Sequence, residues 1–313
     1  MKAAITGATG FVGGRLLSRC QQEGISVRAL SRHKPELGQA GTGIEWCHGD
    51  LDNAETLTAF VDGVDVLYHC AGQLVDKAKM HQVHVTGTES LIRAADGRVG
   101  RWVQLSSVGV YGSVAQGVVT EQWPLRPLGE YETTKAESDE LVMQAMSRGC
   151  FDACILRPSN VYGPNMRNQS LFSLISMIDK GLFFFIGKPA ASANYIHVDN
   201  VVEGLILAGI RPEAKGQIFN VSQHCSMEEF VRVISDALGR PAPAVYLPEV
   251  PVRWMSRIFG MIPGFPLTPA RVDALTNRSI YAVDQINQVL GYSPVMSIEQ
   301  GLRQMVDVYK RAK

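Results

Sequence analysis

The segment Lys2-Ala3-Ala4-Ile5-Thr6-Gly7-Ala8-Thr9-Gly10-Phe11-Val12-Gly13 decides how this chain is read. A short, mostly apolar run of strand length meets glycines at 7, 10 and 13, and residues 11–23 then read as an amphipathic helix. Gly7 permits a tight turn, Gly10 lets backbone come close to a ligand, and Gly13 lets helix and strand pack closely. The helix N-terminus adds free N–H groups and positive potential, which suit phosphate. The spacing is G-x-x-G-x-x-G, one residue longer than G-x-G-x-x-G, and its place between an opening strand and a helix points to a bound dinucleotide. Gly7, Thr9, Gly10, Phe11, Val12 and Gly13 are the candidate contacts.

Working outward from the turn, strand-like runs at 26–30, 44–48, 64–68, 102–105 and 153–156 alternate with helix-like runs at 54–61, 80–95 and 130–147. Such alternation predicts an α/β fold, a doubly wound parallel sheet of Rossmann type with right-handed crossovers. Residues 1–160 are expected to form this dinucleotide-binding domain. Residues 161–313, punctuated by prolines, are expected to form mainly a smaller C-terminal substrate lobe. Runs at 194–198 and 217–221 look like strands returning to the main sheet, and 297–311 like a closing amphipathic helix.

Of the 313 residues, 46% are hydrophobic and 19% charged, which excludes a disordered chain or a coiled coil. Thirty basic residues balance thirty acidic ones, so net charge gives no sign of nucleic acid or an anionic surface as partner. Cysteines at 20, 47, 70, 150, 154 and 225 include no C-x-x-C pair, which argues for reduced thiols and against a metal site. The opening residues show no signal-peptide pattern, so none is expected, and the apolar run 181–187 is too short to span a bilayer. A cytoplasmic protein is the expectation.

The end of the second strand should select between NAD and NADP, since an acid there binds the ribose 2′-hydroxyl and arginine accommodates a 2′-phosphate. The chain reads Ser31-Arg32-His33-Lys34, so NADP is favoured over NAD, with Ser31 and Arg32 on the phosphate. Asp50, with Leu51 beside it, is placed to meet the adenine, with helix entry as the competing role. Cys70-Ala71-Gly72 offers small residues beneath the cofactor, and His69 reads as packed rather than catalytic.

Tyr131-Glu132-Thr133-Thr134-Lys135 opens a helix, so phenol and ammonium share one face. A tyrosine ionises near pH 10 in water, and a neighbouring cation favours phenolate. Leu105-Ser106-Ser107-Val108 leaves the fifth strand at its C-terminal end, where doubly wound sheets place their sites. Ser107 is the candidate to fix a substrate oxygen and complete a Ser-Tyr-Lys set, with Ser106 competing.

Thr6–Gly13, Gly49-Asp50-Leu51, Ser106 to Gly112, Tyr131 to Lys135, Leu156-Arg157-Pro158-Ser159-Asn160-Val161-Tyr162-Gly163-Pro164 and Asn194-Tyr195-Ile196-His197-Val198-Asp199-Asn200 occur in the order seen in extended short-chain dehydrogenases/reductases, which this chain resembles. The tail Leu290-Gly291-Tyr292-Ser293-Pro294 extends the likeness. The resemblance implies hydride transfer at a secondary alcohol or ketone, a homodimer through helices that include the one bearing Tyr131, Pro158 beside the nicotinamide, and Asn160 on substrate. His84 replaces the family's usual asparagine, which either removes its proton relay or gives that role to imidazole. Ala193 stands near where many nucleotide-sugar members carry a diphosphate-binding arginine; Arg167, Arg271 or Arg278 would have to compensate.

The absence of an adjacent Asp-Glu pair after Ser107 argues against dehydration. A nucleotide-sugar 4-epimerase or 4-ketosugar reductase, with Arg167 on substrate, is the favoured reading. A 3β-hydroxysteroid dehydrogenase-like or dihydroflavonol-reductase-like enzyme is the alternative. A non-catalytic NADP-sensing regulator is the third, disfavoured because Tyr131 and Lys135 are both retained.

Overall fold

Strand β1 (Lys2–Thr6) enters the glycine turn and helix α1 (Phe11–Gln22), and β2 (Ser26–Ser31) and β3 (Ile44–His48) follow. Helix α2 (Ala54–Val61) leads to β4 (Val66–His69), and α3 (Gly87–Ala95) to β5 (Arg101–Leu105). Short β6 (Gln116–Val119) precedes the long α4 (Glu130–Ser147), then β7 (Asp152–Pro158) and β8 (Asn160–Tyr162). The structure is a computed structural model and describes residues 1–33, 43–166, 168–259 and 268–313.

The second half continues with α5 (Ser170–Asp179), β9 (Phe185–Ile186), β10 (Ser192–His197), α6 (Val198–Ile210), β11 (Ile218–Val221), β12 (Gln223–Ser226) and α7 (Met227–Leu238). It closes with β13 (Tyr246–Leu247), α8 (Glu249–Phe259), α9 (Pro269–Thr276), β14 (Arg278–Tyr281), α10 (Asp284–Leu290) and α11 (Ile298–Arg311).

Seven strands pair in parallel in the order β3-β2-β1-β4-β5-β7-β11. Helices cover both faces of this sheet, so its inner strands read as continuous apolar runs; Ala3, Ala4 and Ile5 are all fully buried. On one face α1, α6 and α10 pack Leu16, Leu205 and Ile286 against Tyr68 and Leu156. On the other, α2, α3 and α4 pack Phe60, Leu91 and Val142 around Trp102. Each such side chain contributes about 1.5–3 kcal/mol by leaving water. Strand order reverses between β1 and β4, which opens a crevice at the carboxyl ends of the strands.

The smaller lobe has its own core, in which α5, α7 and α11 bury Ile175, Phe230 and Leu302. The run 217–221 joins the main sheet as edge strand β11. The run 194–198 does not. Strand β10 pairs instead with β8 and β12 in a separate three-stranded sheet, because its alternate residues fill the smaller lobe's core. The helix read over 80–95 is broken as well: Gln82–Thr86 forms a π-helical turn before α3 begins. Within the apolar run 181–187 only Phe185–Ile186 is a strand, paired with β13. Among the described residues, no helix is long and apolar enough to cross a membrane, and no cluster has the makings of a metal site. All six cysteines are free thiols.

Candidate active site

The glycine turn has the shape its spacing demands. Gly7 sits at φ +68°, where a side chain would also strike the Cys70 carbonyl, and a Cβ on Gly13 would run into the Gly7 carbonyl. Gly10 donates its N–H to Gly7 O at 2.8 Å, closing the turn at the start of α1. A cavity of about 440 Å³ opens beside it, lined in part by Thr9, Gly10, Phe11 and Asn165. The turn lies against β4, and the Cys70-Ala71-Gly72 backbone leaves that strand across the crevice from it. Leu51 is buried, while Asp50 is exposed and accepts its neighbour's N–H at 2.8 Å.

At the end of β2 the two candidates for 2′-phosphate differ. Arg32 is exposed, whereas Ser31 is buried, and its hydroxyl donates to His33 O at 2.7 Å. The serine is committed to a local turn, so the cation is what this strand end presents. Lys34 and Arg167 lie outside the described residues.

Helix α4 brings the catalytic candidates together. Ser107, Tyr131 and Asn160 line one cavity of about 370 Å³, together with Glu132, Asn194 and Leu275. Ser106 is turned away: its hydroxyl donates to Asp139 at 2.8 Å in the interior, which leaves Ser107 as the strand-end hydroxyl facing the cavity. Ser107 also caps the turn that follows, accepting the Gly109 N–H at 3.1 Å. Asn160 donates to Asn194 O at 3.2 Å, and Pro158 ends β7 fully inside the protein.

The charges around Tyr131 depart from the sequence reading, which had Lys135 favour the phenolate. Burial pushes the Tyr131 phenol up to about 12, with Glu132 and Asp139 adding to the rise and Ser107 opposing it. Lys135 is buried, and its Nζ donates to Leu105 O at 2.5 Å. Burial lowers the lysine's pKa, against an upward pull from Asp139. The protein's own groups therefore hold the phenol protonated.

Asp139 follows Lys135 by one helical turn, and its Oδ2 accepts from Arg157 Nε and Nη2 at 3.2 and 3.1 Å. Arg157 Nη1 donates in turn to Tyr111 Oη at 3.1 Å, and Tyr111 donates to Asn220 at 2.8 Å. Burial raises the Asp139 carboxyl while Arg157 and then Lys135 pull it back, and its Oδ1 has no partner among the described residues. Sequence reasoning missed this ion pair, although an acid eight residues after Tyr131 was a visible signal.

On the opposite flank of α4 the buried hydrogen bonds join uncharged groups. His84 Nε2 accepts the Gln73 N–H at 2.9 Å, so the neutral ring carries its proton on Nδ1, which meets Thr134 Oγ1 at 2.8 Å. His69 bridges Thr6 at 2.7 Å and Thr88 at 3.0 Å. Burial, and then the Lys135 cation, pull both imidazoles down to about 3. His69 is packed, as its sequence context suggested.

Two of the three arginines considered for a diphosphate, Arg278 and Arg271, are not among the described residues that line the cavity. Arg278 donates to the Lys188, Pro189 and Thr276 carbonyls, and Arg271 lies exposed on α9. Ala193 is packed in the smaller lobe's core. The lining contributed by α9, Asn277 and Tyr281 was not foreseen, because those residues are brought to the site only by tertiary packing.

A family model described as the NAD-dependent epimerase/dehydratase family matches residues 3–222, which include the glycine turn and the Ser107, Tyr131 and Lys135 segments. The chain belongs to this family. It is an NAD-dependent enzyme of epimerase/dehydratase type, an oxidoreductase by chemistry. Among its relatives is a 3β-hydroxysteroid dehydrogenase/Δ5→4-isomerase of Mycobacterium tuberculosis, 28% identical, with 98% of this chain and 90% of the relative covered. Another is a 4-hydroxy-2-methyl-3-oxo-4-farnesyl-3,4-dihydroquinoline-1-oxide ketoreductase of Stigmatella aurantiaca, 29% identical over 96% of this chain and 95% of the relative. A solved UDP-glucuronic acid 4-epimerase of Bacillus cereus, in complex with NAD, shares the fold with a TM-score of 0.77 at 20% identity, covering 100% of this chain and 99% of that one.

Proposed function

We propose that the enzyme interconverts a secondary alcohol and a ketone on an uncharged, largely apolar substrate of sterol or prenyl-ketone type. The observation that carries this reading is the charge of the 370 Å³ cavity: among its described lining residues the one charged side chain is the acid Glu132. A nucleotide sugar brings a diphosphate, which calls for arginine or lysine donors. Alongside neutral serines and asparagines such as Ser192 and Asn277, the cavity offers Leu174, Met227, Ala274 and Leu275, with Tyr195 and Tyr281. The steroid and farnesyl-quinoline relatives support the same substrate class.

The residues present fit a dinucleotide: a side chain at Gly7 or Gly13 would strike neighbouring backbone, and Gly10 and Gly72 expose backbone on the two sides of the crevice. Thr9 to Gly13 would hold the diphosphate at the start of α1, and Asp50 and Leu51 the adenine. Cys70, Ala71, Gly72 and Pro158 would lie along the nicotinamide half. Arg32 would favour the 2′-phosphate of NADP, since no acid competes for the ribose within Ser31-Arg32-His33. When bound, the cofactor supplies or accepts the hydride.

In this reading Ser107 fixes the substrate oxygen and Tyr131 gives it a proton in reduction or takes one in oxidation. Lys135 holds positive charge on the same helix face. A phenol held protonated by burial suits reduction near neutral pH, and oxidation calls for alkaline conditions. The deciding experiment is a substrate panel with NADH and NADPH: 3β-hydroxysteroids, prenylated ketones and UDP-sugars. Turnover of UDP-sugars alone would overturn the substrate assignment. Equal or tighter binding of NAD would overturn the cofactor preference.

A further inference from the structure

His84 stands where the family usually has asparagine, and its surroundings assign it a task. It lies on the π-helical turn Gln82–Thr86 and is 1% exposed. Such turns alter the spacing of a helix and recur at functional sites. Both ring nitrogens are used. Nε2 accepts from the Gln73 backbone, in the segment just after Cys70-Ala71-Gly72, and Nδ1 faces Thr134 on α4. The Thr134 hydroxyl proton goes to Glu130 O at 2.7 Å, so Thr134 is left to accept from the imidazole. The ring stands edge-on to Tyr131, with centroids 5.5 Å apart and planes at 80°.

We infer that His84 is a neutral clamp, a positioning residue that ties the Gly72–Gln73 backbone to helix α4 and so sets the crevice floor against Tyr131. The inference rests on the proposed placement of the cofactor along Cys70-Ala71-Gly72. A proton relay would need the ring to gain and lose a proton during turnover. Both nitrogens here are occupied by fixed neutral partners, and the titratable groups facing the ring are Lys135 and Tyr131 of α4 and His69 of β4. A second positive charge beside the buried Lys135 is disfavoured. The clamp extends outward through Gln73, whose side-chain oxygen accepts the Val75 and Asp76 N–H groups at 3.0 and 3.2 Å and shapes the next turn.

Three single variants, one double variant and one spectrum test this. His84→Phe keeps a ring but supplies neither bond, Thr134→Val removes the partner on α4, and His84→Asn restores one donor and one acceptor. NADH affinity is read by fluorescence titration, and tautomer and charge by nitrogen-detected NMR of labelled histidine. We expect His84→Phe to weaken NADH binding by about tenfold, Thr134→Val to act in the same direction, and the double variant to be no weaker than His84→Phe alone. His84→Asn should bind within about threefold of the wild type, and the His84 ring should stay neutral and Nδ1-protonated from pH 8 to 5. The clamp is overturned if His84→Phe and Thr134→Val both bind NADH like the wild type. It is also overturned if the ring titrates near 6.5 and a limb in the rate profile follows it. Failure of the wild type itself to bind NADH or NADPH would sink the cofactor placement, leaving the histidine spectrum to judge the clamp.

Discussion

Helix α4 has two buried flanks that solve the same problem by different means. Toward β7 and the turn after β5 it presents Asp139, held by Arg157 and Ser106 in the interior. Toward α3 and the π-helical turn Gln82–Thr86 it presents Thr134 and Ser138, which meet the His84 imidazole, the Thr88 hydroxyl and the Gln104 amide. On that side Trp102 donates to Gln104 at 2.9 Å and Gln104 to Ser138 at 2.8 Å. Thr88 gives its own proton to His84 O at 2.5 Å, so at 3.1 Å it accepts from Ser138. Every link on this flank is neutral and every proton has an assignable place. The charged flank leaves Asp139 Oδ1 without a partner among the described residues. A neutral network tolerates the loss of one member better than an ion pair, because a widowed charge has nowhere to go.

Tyr131 is where the two flanks meet, and removing its hydroxyl should have the largest effect. Tyr131→Phe should lower kcat by about 10²–10⁴ while NADH affinity stays within about threefold. Retained turnover, measured under single-turnover conditions, would remove the phenol from the chemistry.

Breaking the charged flank comes next. Asp139→Asn should cost about 3–5 kcal/mol in urea unfolding, because Arg157 stays buried without its counter-charge. Ser138→Ala, on the neutral flank, should cost about 1–3 kcal/mol. Equal losses would erase the contrast between the flanks.

Acid should act on the neutral flank through its histidines. Free imidazole titrates near 6.5, whereas His69 and His84 are held at about 3 in the folded protein. The folded state thus binds fewer protons between these limits. Its stabilisation from the neutral rings is complete above pH 6.5 and is lost progressively as pH falls toward 3. By pH 5 each ring should cost about 2 kcal/mol. Thermal melts should show a shallower decline for His84→Asn than for the wild type, and identical slopes would contradict the assignment.

The smallest expected effect lies at the cavity mouth. Glu132 raises the Tyr131 pKa, so Glu132→Gln should move the alkaline limb of substrate oxidation to lower pH. A pH–kcat profile with the limb unmoved or shifted upward would exclude that coupling.

Much of the cofactor side was legible because its signals are local. Glycines at 7, 10 and 13 act within one turn, and the alternation of strands and helices to residue 160 required a parallel sheet. Strand β10 was misplaced because an apolar run states that a strand is buried without stating against which sheet. The choice between Ser106 and Ser107 also stayed open in the sequence. Two adjacent hydroxyls at a strand end differ only in the side to which they point, and Asp139 takes one of them.

By itself, the sequence determined the dinucleotide-binding architecture and the spacing that puts Tyr131 and Lys135 on one helix face. Both follow from periodicities of the backbone and from the conformational freedom of glycine. Tertiary structure alone decided that the described lining of the cavity beside Ser107 and Tyr131 carries no cation, that burial pulls the His84 imidazole down, and that burial pushes the Tyr131 phenol up. Those properties depend on burial and on neighbours remote in sequence, such as Gln73 against His84 and α9 against α4. Electrostatic energies are set by what surrounds a group in space rather than by its place in the chain.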